Sequence, residues 1–208
     1  MAPGEIPEPR VFAALKQGWT NMWPSFWVLL AMTLILMIAE APGQSAQYLG
    51  GAAAAVLGIV GGLFAIFLVI PLQMGATHAH LAVSRGEKAE FSSLGYAFSR
   101  RYFPSIGVSL LVALIVAVGF VFLIIPGIYL AVKLSQTSFR FVEDEMGVIE
   151  AMKASWEDTK GHWWPIFGMG FLTIGLFILG ALALGVGIFV AIVLVGQMTA
   201  TYWRAITQ

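Results

Sequence analysis

The 208 residues include eleven Lys and Arg and eleven Asp and Glu, so the formal net charge is zero and nothing indicates a nucleic-acid-binding surface. Hydrophobic residues make up 59% of the chain and charged residues 11%, whereas a soluble domain carries about 25% charged residues. This composition excludes a soluble globular domain and predicts helices embedded in lipid. Without cysteine, the chain has no disulfide, thiolate metal site or cysteine nucleophile.

In chain order, residues 1–10 contain three prolines and no apolar run, which predicts a disordered tail and not a signal peptide. Residues 11–208 are expected to form a single membrane domain. A membrane span needs about 20 apolar residues. The runs long enough to cross a bilayer are 25–41, 51–74, 105–125, 127–142, 166–183 and 187–205. The sequence therefore predicts an all-α polytopic membrane protein with six transmembrane helices, in which only Pro126-Gly127 separates the third span from the fourth.

The positive charges lie on one side of these predicted spans. Ten of the eleven Lys and Arg residues precede the first span, follow the last, or fall between spans two and three or four and five, with Arg140 at a span end. They are Arg10, Lys16, Arg85, Lys88, Arg100, Arg101, Arg140, Lys153, Lys160 and Arg204. The opposite loops, 41–50, 125–127 and 184–187, carry none, and all seven tryptophans lie near the positive side. Both termini are therefore expected in the cytoplasm.

A short segment with an apolar stripe at i, i+3 and i+7 precedes each odd-numbered span, which indicates an internal threefold repeat. The stripes are Phe12, Leu15 and Trp19; Phe91, Leu94 and Phe98; and Ile149, Met152 and Trp156. Each segment ends in an aromatic-proline pair: Trp23-Pro24, Phe103-Pro104 and Trp164-Pro165.

We interpret the repeat as three units, 11–90, 91–148 and 149–208, each an interfacial amphipathic helix followed by a transmembrane hairpin. Residues 73–77 resemble residues 197–201, with a looser counterpart at 136–138. The alternative is that any lead-in to a span is amphipathic and aromatic. The expected interfacial anchors are Trp19, Trp23, Phe98, Phe103, Trp156 and Trp164.

Two stretches, 126–133 and 150–162, resemble the central signature of a bacterial and archaeal membrane family. That family includes the membrane domain attached to some glycerophosphoryl diester phosphodiesterases and the YciC-like inner-membrane proteins. In the family the position of Lys133 is often arginine, so the charge is kept here while bidentate bonding is lost. The resemblance implies a six-span protein of the prokaryotic cytoplasmic membrane. It implies no activity, because catalysis in the fused enzymes belongs to a separate soluble domain.

Lys133 is the strongest candidate for a polar site. It lies seven residues after Pro126, or about 10 Å along a helix, where a charge in lipid costs at least about 2.5–3.5 kcal/mol. Its ammonium should face the bundle interior and find an oxygen partner, for which Glu40, Gln197 and a backbone carbonyl are the candidates. One interpretation is a ligand or headgroup anchor; the other is a structural lysine that snorkels outward or joins helices.

Other polar groups suggest little chemistry. His78 and His80 are spaced i and i+2, so on a helix they point to different faces and are poorly placed for one metal ion. Glu143, Asp144 and Glu145 could bind a cation or a partner, or form a solvated turn. No P-loop, H-E-x-x-H or G-x-S-x-G motif is present.

We therefore expect neither an enzyme nor a resident metal or cofactor. The leading hypothesis is a scaffold, anchor or accessory subunit whose partners are the lipid bilayer and other proteins, in the membrane or at the cytoplasmic face, and not nucleic acid. The alternative is a transporter or lipid-handling protein with a polar site around Lys133, since transporters are often built from repeats. An enzyme would need a polar cluster that only the three-dimensional arrangement brings together.

Overall fold

The computed structural model describes residues 9–48, 50–183 and 186–207, and within these ranges the regular elements are all helical. The α-helices are α1 Val11–Met22, α2 Phe26–Ser45, α3 Gly51–Phe64, α4 Ile70–Ser84, α5 Tyr96–Arg100, α6 Tyr102–Phe122, α7 Ile124–Leu134, α8 Thr137–Glu143, α9 Val148–Asp158, α10 Trp163–Leu182 and α11 Val186–Thr207. Segments of 3₁₀-helix cover Trp23–Ser25, Ala46–Tyr48 and Phe91–Gly95, and π-helix covers Ala65–Val69. Most of the predicted tail and part of the predicted loop 184–187 lie outside the described residues.

The predicted fold class is confirmed: the chain is an all-α, multi-pass membrane protein. In the described ranges, five helical stretches are long and apolar enough to cross a membrane: Val11–Pro42, Gly51–Ser84, Tyr102–Phe122, Trp163–Leu182 and Gly187–Thr207. The segment predicted as the fourth span is instead two helices, α7 and α8, which meet at Ser135 and Gln136. The Ser135 hydroxyl donates to the Val132 carbonyl at 2.8 Å, and such a local bond competes with the backbone ladder of a helix.

The hairpin between α6 and α7 turns earlier in the chain than predicted. Leu123 is extended, with φ −166° and ψ 154°, so the turn lies there, and Pro126 is the third residue of α7. A proline fits the first turn of a helix because no intrahelical acceptor is available for an N–H at that point. Gly127 contributes instead to a close helix approach, since a Cβ there would lie 2.5 Å from the Phe120 ring.

Helical segments stand at all three predicted interfacial positions: α1, residues 91–100 and α9. The predicted apolar stripe does not face the bundle in any consistent way, because Phe12, Trp19 and Phe98 are exposed. Every segment buries two small residues spaced four apart. These are Ala14 and Gly18, Ser93 and Ala97, and Ala151 and Ser155. Small residues permit close helix contacts, which explains why they point inward in all three segments, whereas Met152 is the stripe residue that is buried.

Each short segment packs its small residues on the span that ends the preceding unit. A Cβ at Gly18 would lie 2.9 Å from the Met198 nitrogen of α11. A Cβ at Gly75 of α4 would lie 2.5 Å from the Ser93 carbonyl oxygen. Ser155 donates to the Lys133 carbonyl of α7 at 2.8 Å. The three contacts follow one another cyclically, as units of a pseudo-threefold bundle would.

These contacts also revise the predicted alignment of the repeat. Lys133 contacts the third short segment in the same way that Gln197 and Met198 contact the first. Residues 133–137 therefore correspond to residues 197–201, which in turn resemble residues 73–77. Lys133 then takes the position of Gln73 and Gln197, and a threonine follows four residues later in all three segments. The counterpart of Gln73 is therefore Lys133, and Gln136 falls at an alanine position.

Candidate functional site

The ends of α4, α8 and α11 are tied together by polar contacts. We call this end of the bundle, which holds Arg85, Arg140 and Arg204, the charged end. Arg85 forms an ion pair with Glu143, joining α4 to α8. Arg204 donates from α11 to the carbonyl oxygen of Ser84 at the end of α4. The guanidinium of Arg140 lies 5.5 Å from the centre of the Trp203 ring, joining α8 to α11.

Arg140 and Arg101 fix the segment after α8. Arg140 donates to both carboxylate oxygens of Asp158 at 2.6 Å and to Asp144 at 2.7 Å. Arg101 donates to the carbonyl oxygens of Phe141 and Met146. Charge-assisted bonds of this forked kind fix geometry as well as adding energy. In the described residues, these arginines therefore connect helices of the bundle.

The acidic cluster 143–145 takes part in these contacts. Glu143 pairs with Arg85 and Asp144 with Arg140, so two of the three carboxylates that could bind a cation are paired with arginines instead. Glu87 also accepts a hydrogen bond from Arg85 at 2.9 Å. This bond lowers the pKa of Glu87 below its ordinary value. Burial raises the pKa of Tyr96, whose hydroxyl donates to the Val142 carbonyl.

Lys133 finds one of its predicted partners, a backbone carbonyl. Its ammonium lies 3.5 Å from the Trp156 carbonyl oxygen, 5.4 Å from the centre of the Trp156 ring and 5.9 Å from that of Tyr129. The side chain is buried, with 5% of its surface exposed. Lys133 thus lies against the short helix α9 at the charged end. The structure does not bring it to Glu40 or to Gln197.

Glu40 and Gln73 form a separate site on the outside of the bundle. The Gln73 side-chain amide donates to Glu40 Oε1 at 3.2 Å, and this pair is exposed. Glu40 and Gln73 both lie in helical stretches that are long and apolar enough to cross a membrane, Val11–Pro42 and Gly51–Ser84. A carboxylate in such a stretch is a candidate functional group because its charge is costly in lipid.

The histidines and Gln197 lie apart from this pair. Gln197 is buried and its amide donates to His80 Nδ1 at 2.8 Å. His78 stacks on the Tyr96 ring at 4.9 Å. In the part of the chain that the structure describes, no group of three or more His, Asp or Glu side chains could hold a metal ion.

The predicted anchors mostly lie on the outer surface near the charged end. Trp19, Trp23, Phe98, Phe103 and Trp164 are exposed, whereas Trp156 is half-buried against Tyr129 and the Lys133 ammonium. Trp19 and Trp23 contact each other edge to face with centroids 5.1 Å apart. Exposed aromatic rings at one level of a bundle are typical of a membrane interface.

Sequence reasoning noted Gln73 only as part of a repeated motif and did not identify the Arg85–Glu143 pair. The position of Gln73 inside an apolar run is a signal that could have identified it. The Arg85–Glu143 pair has no such signal, because it depends on a contact between residues far apart in the chain.

Residues 52–208 match the model of a family described as "Protein of unknown function (DUF975)". The matched segment includes Lys133 and the paired ends of α4, α8 and α11, whereas Glu40 precedes it. No curated protein and no solved structure matches the chain.

Proposed function

We propose that this protein, which belongs to the DUF975 family of proteins of unknown function, is non-catalytic. In this proposal it acts as a scaffold, anchor or accessory subunit of a membrane assembly. The observation that carries the proposal is the use of the charged side chains. Arg85, Arg140 and Arg204 bind groups of the bundle itself, while Glu40 remains exposed on the outer surface. A frame that is fixed internally and carries an exposed carboxylate on its outer surface is suited to holding a partner.

The filled interior supports the same proposal. Met22, Leu29, Met32, Val193 and Leu194 are buried together where α1 and α2 meet α11. Interiors packed in this way leave little room for water or a solute to pass. The helices would then act as a rigid support.

The proposal is tested by isolating the tagged protein from its native membranes in lipid nanodiscs and measuring the particle mass by native mass spectrometry. We expect one or more further protein subunits in fixed stoichiometry, absent from an untagged control. A protein of 22.4 kDa recovered alone with lipid, under conditions that preserve a known complex of the same membrane, would contradict a subunit role.

We further propose the cytoplasmic membrane of a prokaryote, with both termini in the cytoplasm and no nucleic-acid partner. The gathering of Arg85, Arg101, Arg140 and Arg204 at one end supports this orientation under the positive-inside rule. Because the chain has no cysteine, single cysteines near that end can be labelled from either side of the membrane. Labelling from the external side would contradict the orientation. The resemblance to the phosphodiesterase membrane domain and the YciC-like proteins stays a hypothesis.

A second candidate function is lipid handling or transport around Lys133. It is supported by an apolar groove of about 240 Å³ between α6, α7 and α9, which Trp156 lines and whose rim carries Lys153. An acyl chain would fit the groove, with an anionic headgroup near the lysines. Lys133→Met should then reduce the phospholipid retained by the purified protein, or the flux into reconstituted vesicles. Unchanged retention and flux would remove this candidate.

A further inference from the structure

The groove beside Glu40 has the dimensions of a helix-binding site. It has a volume of about 460 Å³ and lies between α2 and the stretch from α3 to α4. Its walls extend from Gly58 to Gln73, fifteen residues apart, or about 22 Å along the helix. A single ion or a compact solute would occupy only a small part of that length.

The wall of the groove favours a close contact with another backbone. Gly58, Gly61 and Gly62 line it, and a Cβ placed at Gly62 would meet no heavy atom within 4 Å. Residues without side chains let membrane helices approach closely. The π-helical segment Ala65–Val69 continues the same wall, and π-helical turns occur often at functional sites.

The charge in the groove determines what the occupant must carry. An ionised carboxylate has about four acceptor positions, and the hydrogen bond that Glu40 makes in the described residues comes from Gln73. A neutral amide does not compensate the charge of an ionised carboxylate in a membrane-spanning helix, whereas a cation does. An acyl chain alone would leave the carboxylate unneutralised, and an anionic headgroup would be repelled by it.

A second copy of the same chain does not supply that cation. Among the described residues of the spans, Lys16 lies 24 residues before Glu40, or about 36 Å along the helix. Arg140 and Arg204 bind groups of their own bundle, and Lys133 is buried against Trp156. A copy standing beside the first in the same orientation would present an apolar surface opposite Glu40. A cation that pairs with Glu40 would therefore belong to a different protein.

We propose that this groove binds a transmembrane helix of a partner subunit, and that a lysine or arginine of that helix forms an ion pair with Glu40. The proposal rests on the proposed function, since it names the partner chemistry of a subunit. Gln73 orients the Glu40 carboxylate, and the glycine wall receives the backbone of the partner helix.

The test uses Gly62→Cys in the cysteine-free chain, modified in native membranes with a maleimide-benzophenone and irradiated. Adducts are digested and the attached segment is identified by mass spectrometry. We expect attachment to an apolar segment that contains Lys or Arg, and a reduction of at least fivefold when Glu40→Gln is added. Exchanging the charges, with Glu40→Lys and an acidic residue in place of the partner's cation, should restore the adduct.

Gly168→Cys is the matched control, because a Cβ there also meets nothing within 4 Å but lies on α10, away from the groove; it should yield lipid adducts. Equal membrane levels and monodisperse purification establish that Glu40→Gln is folded. A protein adduct at Gly62 that lacks a cationic residue or survives Glu40→Gln would overturn the groove proposal and leave the subunit role standing. If Gly62→Cys yields only lipid adducts while a partner is still present in nanodiscs, the groove proposal is overturned and the subunit role stands. Only lipid adducts together with a lone monomer would overturn both.

Discussion

Gly75→Ala should destabilise the bundle, although alanine is the better helix former. A Cβ at Gly75 would lie 2.5 Å from both the Leu94 Cα and the Ser93 carbonyl oxygen. Because these are backbone atoms, the whole segment would have to move by roughly 1 Å to restore ordinary contact. Overpacking of this kind costs about 1–3 kcal/mol, and replacing glycine inside a helix gains about 0.5–1 kcal/mol. The free energy of unfolding should therefore fall by up to about 2.5 kcal/mol.

The measurement is reversible unfolding in mixed micelles by titration with SDS, followed by far-UV circular dichroism and tryptophan fluorescence. Gly168→Ala is the control, because a Cβ there meets no heavy atom within 4 Å; it should raise stability by about 0.5–1 kcal/mol. The two substitutions are chemically identical, so only the surroundings can separate them. Equal effects, or a gain at Gly75, would refute the close contact between α4 and the second short segment.

Three further predictions concern the arginines at the charged end. A double-mutant cycle of Arg85→Met and Glu143→Gln, measured by SDS unfolding, should give a coupling energy of about 1 kcal/mol, because 26% and 21% of these side chains are exposed and the pair is partly shielded from water. The hydrogen bond from Arg85 lowers the pKa of Glu87. The ionised Glu87 therefore stabilises the fold above its ordinary pKa of 4.5, and this stabilisation is lost as the pH falls through the lower pKa of the folded state. The SDS midpoint should depend less on pH in Glu87→Gln than in the unsubstituted protein. Arg101→Lys should lower stability by about 1–2 kcal/mol, since lysine cannot bond the Phe141 and Met146 carbonyls as a fork.

Each of these three predictions has a control substitution in the same chain. The Lys160–Glu157 pair is exposed, at 60% and 63%, so its cycle should give less than about 0.5 kcal/mol; a value equal to that of the Arg85 pair would contradict the role of shielding. Glu90→Gln controls for loss of a nearby carboxylate without an arginine partner. Arg101→Met should cost more than Arg101→Lys, and the reverse order would exclude a charge-assisted contact.

The transmembrane architecture could be predicted because lipid imposes long apolar helices, and hydropathy alone reveals them. The break at Ser135 could not be predicted in the same way. Apolar residues continue through 127–142, and a side-chain hydrogen bond to Val132 does not alter hydropathy. Proline and glycine are typical of turns, so the sequence predicts the turn at Pro126-Gly127. In the structure, Pro126 lies in the first turn of α7 and Leu123 adopts the extended conformation.

The candidate sites were predictable only as single residues. The cost of a charge in lipid indicated that Lys133 needs an oxygen partner, but its identity depends on how α9 packs on α7. Glu40 was one of three possible oxygen partners of Lys133, and the structure places it beside another residue. Its partner, Gln73, is an uncharged amide 33 positions away, and only the packing of α2 on the second span brings the two together.

The pseudo-threefold packing gives Lys133 a context that its charge alone does not. Lys133 takes the position of Gln73 and Gln197, where the other two units carry a neutral amide. The fold therefore accommodates glutamine at this position. The Trp156 carbonyl also accepts a hydrogen bond from the Thr159 hydroxyl at 3.1 Å, so it keeps a partner when the ammonium is removed.

Lys133→Gln should consequently change the free energy of unfolding by less than about 1 kcal/mol. The lost contacts with the Tyr129 and Trp156 rings are worth about 0.5–2 kcal/mol, and relief from burying a charge offsets them. SDS unfolding measures the stability, and lipid retention measured on the same sample tests the second candidate function. Stable protein that has lost its bound phospholipid would assign Lys133 a ligand role. Stable protein with unchanged lipid would make its charge dispensable. Destabilisation by more than about 3 kcal/mol, the range expected when a buried ion contact is broken, would refute the equivalence of the three positions.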